Sequence, residues 1–223
     1  MNRIMQLSLA GLLLAGMGCA AEVERPRSDI VRNLSPGTSV VRSAQGEAML
    51  HNKIGGLLFL LGDLEGSVRE FRDAIRLSPE IPAPHNNLGM ALHAQGEFTG
   101  ARVEFLEAIR LNPRYAPARS NLGFVFFERG DLGSAVEHWQ AAVRLDQHLA
   151  SPRAGLALGL FTFGNVDQAV QSYSHALRLD RRYADVEYLR RVRRWSPSAV
   201  GQAAAILQLI MAREEVHPRE VMT

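Results

Sequence analysis

The chain has 223 residues, with 25 Lys and Arg against 23 Asp and Glu and a hydrophobic fraction of 47%. This hydrophobic content excludes a disordered chain, and the net charge of +2 argues against a dedicated nucleic-acid binder, which needs a concentrated basic face. The single cysteine excludes an internal disulfide and a multi-cysteine zinc site.

An export signal is predicted at the N-terminus. Residues 4–17 are almost wholly apolar, follow one basic residue, and form a run shorter than the roughly 20 residues that span a bilayer. Residues 19–47 contain prolines, glycines and scattered charge without a convincing helical period. We therefore predict a signal peptide over 1–18, followed by a tether over 19–47.

The only cysteine stands where the predicted signal ends. Residues 15–19, Ala-Gly-Met-Gly-Cys, resemble the lipobox of bacterial lipoproteins, although Gly16 replaces the usual leucine. The resemblance implies that Cys19 is acylated, and Ala20 implies sorting to the outer membrane, with the protein facing the periplasm. The alternatives are soluble export, with cleavage after residue 20 or 21, and an uncleaved inner-membrane anchor.

Residues recur at an interval of 34 through most of the remaining chain. The recurring glycines, aromatic residues and alanines are Gly62, Gly96, Gly130 and Gly164; Phe71, Phe105, Trp139 and Tyr173; and Ala74, Ala108, Ala142 and Ala176. This pattern resembles the tetratricopeptide repeat, which implies two antiparallel helices, A and B, in each copy. We predict repeat 1 over 48–81, repeat 2 over 82–115, repeat 3 over 116–149 and repeat 4 over 150–183.

The spacing within each repeat is helical, because apolar residues recur three and four positions apart. Gly89 and Ala101 are small where helices A and B of repeat 2 must approach, and Phe105 fills the space beside them. One hairpin cannot bury its apolar face alone, whereas stacked hairpins can. We therefore predict an all-α fold, a right-handed α-solenoid of four hairpins with a concave inner face.

A capping unit is predicted after the fourth repeat. A helix should run over about 184–195, Ser196-Pro197-Ser198 should break it, and a second helix should follow over about 199–213. We interpret 184–213 as a degenerate fifth unit that caps the solenoid, and 214–223 as a loose tail.

The sequence offers no motif for catalysis. There is no Gly-rich phosphate loop and no Gly-x-Ser-x-Gly, and His51 and His85 occupy the same position of successive repeats, as repeat inheritance requires. We therefore predict no enzymatic activity, no cofactor and no metal site. The alternative is an enzyme whose site becomes visible only in three dimensions.

The resemblance to tetratricopeptide arrays implies that helix A side chains bind a client peptide in the concave groove. The candidate groove residues are Asn52, Asn86, Asn87, Met90, Asn121, Phe124 and Phe127. Asn87 and Asn121 match the position of the asparagine ladder in the repeat domain of O-GlcNAc transferase, where a carboxamide can pair with a peptide N–H and C=O together. Phe124 and Phe127 either form apolar pockets for the client or belong to the core.

A basic patch is predicted on the cap at Arg190, Arg191, Arg193 and Arg194. It either contacts anionic lipid head groups or an acidic partner, or it is a solvated face that pairs with Asp185 and Glu187.

These features together predict a protein–protein adaptor of the bacterial cell envelope. It resembles the tetratricopeptide pilotin lipoproteins that assist secretin assembly for type IV pili. The alternatives are a soluble periplasmic or inner-membrane-anchored adaptor of peptidoglycan enzymes or proteases, and a structural protein that self-associates through the apolar face of 199–213.

Overall fold

A computed structural model describes residues 43–216, with side chains over 43–213. Within this range the chain forms ten α-helices, one short 3-10 helix and no strand. The sequence-based predictions for the signal peptide, Cys19 and most of the tether fall outside the described residues, as does most of the predicted tail.

Eight helices form four consecutive hairpins that stack side by side. Each hairpin packs against the next through its second helix, which completes the predicted all-α solenoid. The hairpins are α1 (Ala44–Leu61) with α2 (Leu64–Leu77), α3 (Pro82–Ala94) with α4 (Phe98–Leu111), α5 (Ala116–Glu128) with α6 (Leu132–Leu145), and α7 (Ala150–Thr162) with α8 (Val166–Leu179).

The first helix begins earlier than the sequence indicates. Helix α1 begins at Ala44, inside the segment predicted as tether, because the Ser43 hydroxyl accepts a hydrogen bond from Gly46 N at 3.2 Å. A side-chain oxygen at this position satisfies a backbone N–H that the first helical turn leaves unpaired.

A glycine joins the two helices of every hairpin. Its φ lies between 77° and 87° in all four repeats, a left-handed conformation that glycine adopts without steric cost. In repeats 1 and 3 the following aspartate caps helix B: Asp63 accepts from Gly66 N at 2.8 Å and Asp131 from Ser134 N at 3.1 Å.

Close packing within the hairpins explains the recurrent small residues. A Cβ placed on Gly55, Gly89 or Gly123 of helix A would lie 2.6 to 2.7 Å from the aromatic ring on helix B, which is Phe71, Phe105 or Trp139. Those rings are buried, and the alanines at the recurring helix B positions are fully buried too. The predicted role of Gly89 beside Phe105 is confirmed.

The C-terminal unit differs from the predicted pair of helices. The expected helix over 184–195 is replaced by a 3-10 helix at Arg181–Ala184 and a six-residue helix, α9 (Val186–Arg191). Residues 192–196 then leave the helical path, with Arg194 at φ 56°, and Trp195 enters the core. We call residues 192–196 the crossing segment. Burial of the Trp195 indole accounts for the early helix end.

The last helix, α10 (Pro197–Val216), packs against α7 and α8 and extends past the predicted end at 213. Ile206 is fully buried and Ile210 is 7% exposed, so these two residues of the apolar face that the sequence offered for self-association belong to the core, whereas Met211 is exposed.

Candidate functional site

The first helices of the four hairpins, α1, α3, α5 and α7, lie next to one another along one side of the array. This is the concave surface on which the sequence placed the groove residues.

Four asparagine side chains form a continuous hydrogen-bonded chain across repeats 1 to 3. Asn121 Nδ2 donates to Asn86 Oδ1 at 2.9 Å, Asn86 Nδ2 donates to Asn87 Oδ1 at 3.2 Å, and Asn87 Nδ2 donates to Asn52 Oδ1 at 2.9 Å. We call these four residues the carboxamide chain. The hydrogen bonds from Asn121 to Asn86 and from Asn87 to Asn52 are equivalent, because each joins neighbouring repeats through residues 35 positions apart.

The four residues of the carboxamide chain differ in solvent exposure. Asn86 is 4% exposed, so the structure places this predicted groove residue beneath the surface, whereas Asn52, Asn87 and Asn121 are half-buried. Among the described residues, Asn52 Nδ2 and Asn121 Oδ1 make no hydrogen bond. The chain therefore ends in the unpaired NH2 group of Asn52, which carries two N–H donors, and in the unpaired acceptor oxygen of Asn121.

The carboxamide chain stops between repeats 3 and 4, because Ser120 stands at the position of Asn52 and Asn86, and Gly155 at that of Asn87 and Asn121. A Cβ on Gly155 would overlap the indole of Trp139, which is larger than the phenylalanine of the two preceding repeats. Trp139 is fully buried and its Nε1 donates to Ser120 O at 3.0 Å. The exchange of Phe for Trp in one repeat and of Asn for Gly in the next is a sequence signal for this boundary.

Phe124 and Phe127 are buried, so neither is an open apolar pocket while residues 192–196 lie against this face. Phe124 is 5% exposed and its ring centroid lies 5.1 Å from that of Trp139. Phe127 is 7% exposed and lies 5.9 Å from Trp139 by the same measure. Their aromatic contacts are with side chains of this chain.

The crossing segment lies in the concave groove. Arg193 Nη2 donates to Ser151 Oγ at 2.9 Å in repeat 4, and Arg194 Nη2 donates to Phe59 O at 3.4 Å in repeat 1. Beside the segment lies a cavity of about 20 Å³, whose lining residues are Phe59, Met90, His93, Phe105, Asn121, Phe124, Arg193, Arg194 and Trp195. Met90, predicted for the groove, does lie there, and its Sδ is 3.7 Å from Asn86 Nδ2.

The predicted basic patch is therefore not one surface. Arg190 and Arg191 are exposed and both pair with Glu187, as the solvated interpretation predicted. Arg193 and Arg194 turn into the groove, so the four arginines cannot face a single partner.

A half-buried histidine lies in the aromatic row of the groove. His93 occupies the position that Phe59, Phe127 and Phe161 hold in the other repeats. Its Nε2 is buried without a hydrogen-bond partner among the described residues, and burial lowers the pKa of His93 to about 4. The side chain is therefore neutral at physiological pH.

The histidines of the shared repeat position join helix A to helix B. His51 Nδ1 lies 2.7 Å from Glu70 Oε2, and His85 Nδ1 lies 2.8 Å from Glu104 Oε2. The hydrogen bond to Glu104 raises the pKa of His85 above its usual value. Across residues 43–213, no three His, Cys, Asp or Glu side chains converge on a position that could hold a metal ion. In the same part of the chain, no helix combines the length and apolarity that crossing a bilayer requires.

Two repeat families match the chain. Residues 55–96 and 89–128 match the family described as TPR repeat, and residues 116–141 match the family described as tetratricopeptide repeat. The comparison with curated proteins gives no match.

Several solved structures share the fold. MamA 41-end from Desulfovibrio magneticus RS-1 is 20% identical over 77% of this chain and 97% of that one, with a TM-score of 0.53. PilF from Pseudomonas aeruginosa is 21% identical over 78% of each chain, with a TM-score of 0.54. The first TPR of Spaghetti (RPAP3), bound to the HSP90 peptide SRMEEVD, is 18% identical over 54% of this chain and 95% of that one, with a TM-score of 0.51. The family matches and the shared fold together show that the chain contains tetratricopeptide repeats.

Proposed function

We propose that the chain is a non-catalytic adaptor of the bacterial cell envelope that binds an extended segment of a client protein in its concave groove. The carboxamide chain is the observation that carries this proposal. It runs along the groove over three repeats and ends in a free donor on Asn52 and a free acceptor on Asn121. A peptide backbone offers both complementary groups, so affinity can arise without recognition of a particular sequence.

The comparisons support a peptide as the client. The solved structure of Spaghetti holds an HSP90 peptide, and we extend peptide binding from that protein to this chain as part of the proposal. Tetratricopeptide repeat proteins are generally scaffolds without catalytic activity, which favours binding over turnover.

We also propose that Cys19 carries a lipid anchor in the outer membrane and that the client belongs to a type IV pilus or secretin-type machine. The lipobox-like segment supports the anchor. The wild type should incorporate radiolabelled palmitate, and the Cys19→Ser variant, which lacks the thiol, should not. Equal labelling of both proteins would contradict the lipid anchor.

The groove is tested by affinity capture from envelope extract, read by mass spectrometry. The wild type should retain a client that the Asn52→Ala/Asn121→Ala variant loses, because both free polar groups are then removed. Asn112→Ala is the matched control, since Asn112 is an exposed carboxamide that follows α4 outside the groove. If the groove variant captures the same proteins as the wild type, client binding lies elsewhere.

A further inference from the structure

The groove proposed for the client already holds the crossing segment of the same chain. This segment leaves α9 after Arg191 and spans the groove from Ser151 of repeat 4 to Phe59 of repeat 1. The two residues joined by the Arg194 hydrogen bond are 135 positions apart in sequence. An incoming peptide would meet the same surface, so the segment and a client cannot occupy it together.

Two side chains of the segment sit in defined places. The Trp195 indole is 6% exposed, with its ring centroid 4.9 Å from that of Phe124 and 5.8 Å from that of Tyr183. The Arg194 guanidinium carbon lies 5.9 Å from the centroid of the Phe59 ring. The groove therefore offers an aromatic site for a planar ring and, next to it, a cation–π site for a guanidinium group.

The segment is held in a form that favours exchange. Arg194 has a φ of 56°, a left-handed conformation that a residue with a Cβ adopts at a cost. The Nε atoms of Arg193 and Arg194 are buried and have no hydrogen-bond partner among the described residues. Leaving the groove would relieve the backbone conformation and hydrate both N–H groups.

We propose that Arg194 and Trp195 are an internal occupant of the client site, and that the client carries an arginine next to an aromatic residue and enters as the segment leaves. The existence of a natural client rests on the proposed function above. The internal occupancy does not, because this chain supplies its own ligand and the exchange can be measured with a synthetic peptide.

The probe is a fluorescein-labelled peptide with the sequence of residues 190–197, RRVRRWSP, and the control peptide is RRVRAASP. Binding to the full chain is measured by fluorescence anisotropy for the wild type, Arg194→Ala and Trp195→Ala. If the segment closes the groove in about nine molecules of ten, opening it strengthens the apparent affinity roughly tenfold. We expect this gain in both variants for RRVRRWSP and no binding of RRVRAASP.

If Trp195→Ala melts at a lower temperature or fails to fold because it loses the buried indole, the test of internal occupancy rests on Arg194→Ala, which keeps the indole. Equal affinity of RRVRRWSP for the wild type and Arg194→Ala would overturn the proposal, and so would equal binding of the two peptides.

The envelope capture separates the two proposals. If RRVRRWSP binds as expected but no client depends on the groove, internal occupancy stands and the adaptor function fails. If a client is captured through the groove but RRVRRWSP neither binds nor competes, the adaptor function stands and the arginine–aromatic specificity fails.

Discussion

Repeats 1 to 3 and repeats 3 to 4 line the same groove, but they are joined differently. Carboxamides join the first set, whereas a hydrogen bond from Ser120 Oγ to Ser151 Oγ at 3.2 Å and aromatic packing join the second. In the first set, Asn87 and Asn121 each donate to an asparagine of the preceding repeat at 2.9 Å. In the second set, Trp139 fills the equivalent space and Gly155 leaves room for it. The larger Trp139 ring thus stands where the carboxamide chain ends, and it belongs to the aromatic cluster in which Trp195 is buried.

This contrast shows how a repeat protein acquires a particular binding surface. Identical repeats would give a uniform groove, whereas the departures at Ser120, Trp139 and Gly155 separate a part joined by carboxamides from a part that contains an aromatic cluster. The following experiments test that division, in order of decreasing effect.

The largest effect should come from placing an asparagine of the carboxamide-chain type in repeat 4. Gly155→Asn should lower the free energy of unfolding by about 3 kcal/mol, because the new side chain overlaps the Trp139 indole in a close-packed core. In a Trp139→Phe background the same change should cost less than about 1 kcal/mol, since phenylalanine accepts asparagine at this position in repeats 2 and 3. Urea unfolding of the four proteins measures both costs.

Gly56→Asn is the matched control, because a Cβ at Gly56 of α1 meets no atom within 4 Å. An equal penalty at Gly155 in the two backgrounds would show that Trp139 does not set the boundary.

An intermediate effect should come from His93, which interrupts the aromatic row at repeat 2. Its folded-state pKa of about 4 lies below the unfolded value of 6.5, so its contribution is complete above pH 6.5 and is lost as pH falls towards 4. Between pH 7 and pH 4.5 this amounts to about 2 kcal/mol of unfolding free energy. His93→Phe should remove that part of the pH dependence.

The difference between wild type and His93→Phe isolates this effect, because His85 is common to both proteins and acts in the opposite direction. Its pKa is raised on folding, so its contribution is lost as pH rises through the folded-state value. Parallel pH profiles of the two proteins would contradict the assignment to His93.

The smallest effect should come from a change within the carboxamide chain. Asn121→Asp keeps the side-chain shape but replaces the donor to Asn86 Oδ1 with an acceptor, and should lower the free energy of unfolding by about 1 kcal/mol. A melting temperature equal to that of the wild type would show that the carboxamide chain does not join the repeats. Asn112→Asp, at an exposed carboxamide, serves as the control.

The hairpins could be predicted from the sequence because their determinants are local and repeated. Gly62 and its counterparts form the turn between helices A and B, and Gly89 faces Phe105 within one repeat. The interval of 34 residues therefore indicates both the turn and the close contact of the two helices. The pairing of Asn87 with Asn52 was also within reach, since asparagine pairs recur at 52 and 86 and at 87 and 121.

The crossing segment could not be predicted by the same means. The contact of Arg194 with Phe59 joins residues that no periodicity relates, and residues 184–195 have an adequate helical pattern of their own. Tertiary packing decides where this helix ends, because Trp195 is buried against Phe124 and Tyr183 only if the helix ends early. The same cluster explains why Phe124 belongs to the core.

The bridge between Arg194 and Phe59 also changes the mechanics of the array. In a solenoid that is stabilised only by interfaces between neighbouring repeats, the first and the last unit unfold independently of each other. The hydrogen bond from Arg194 Nη2 to Phe59 O, at 3.4 Å, brings the C-terminal unit into contact with repeat 1 across the groove. Loss of this contact should allow the two ends of the array to fray independently of each other.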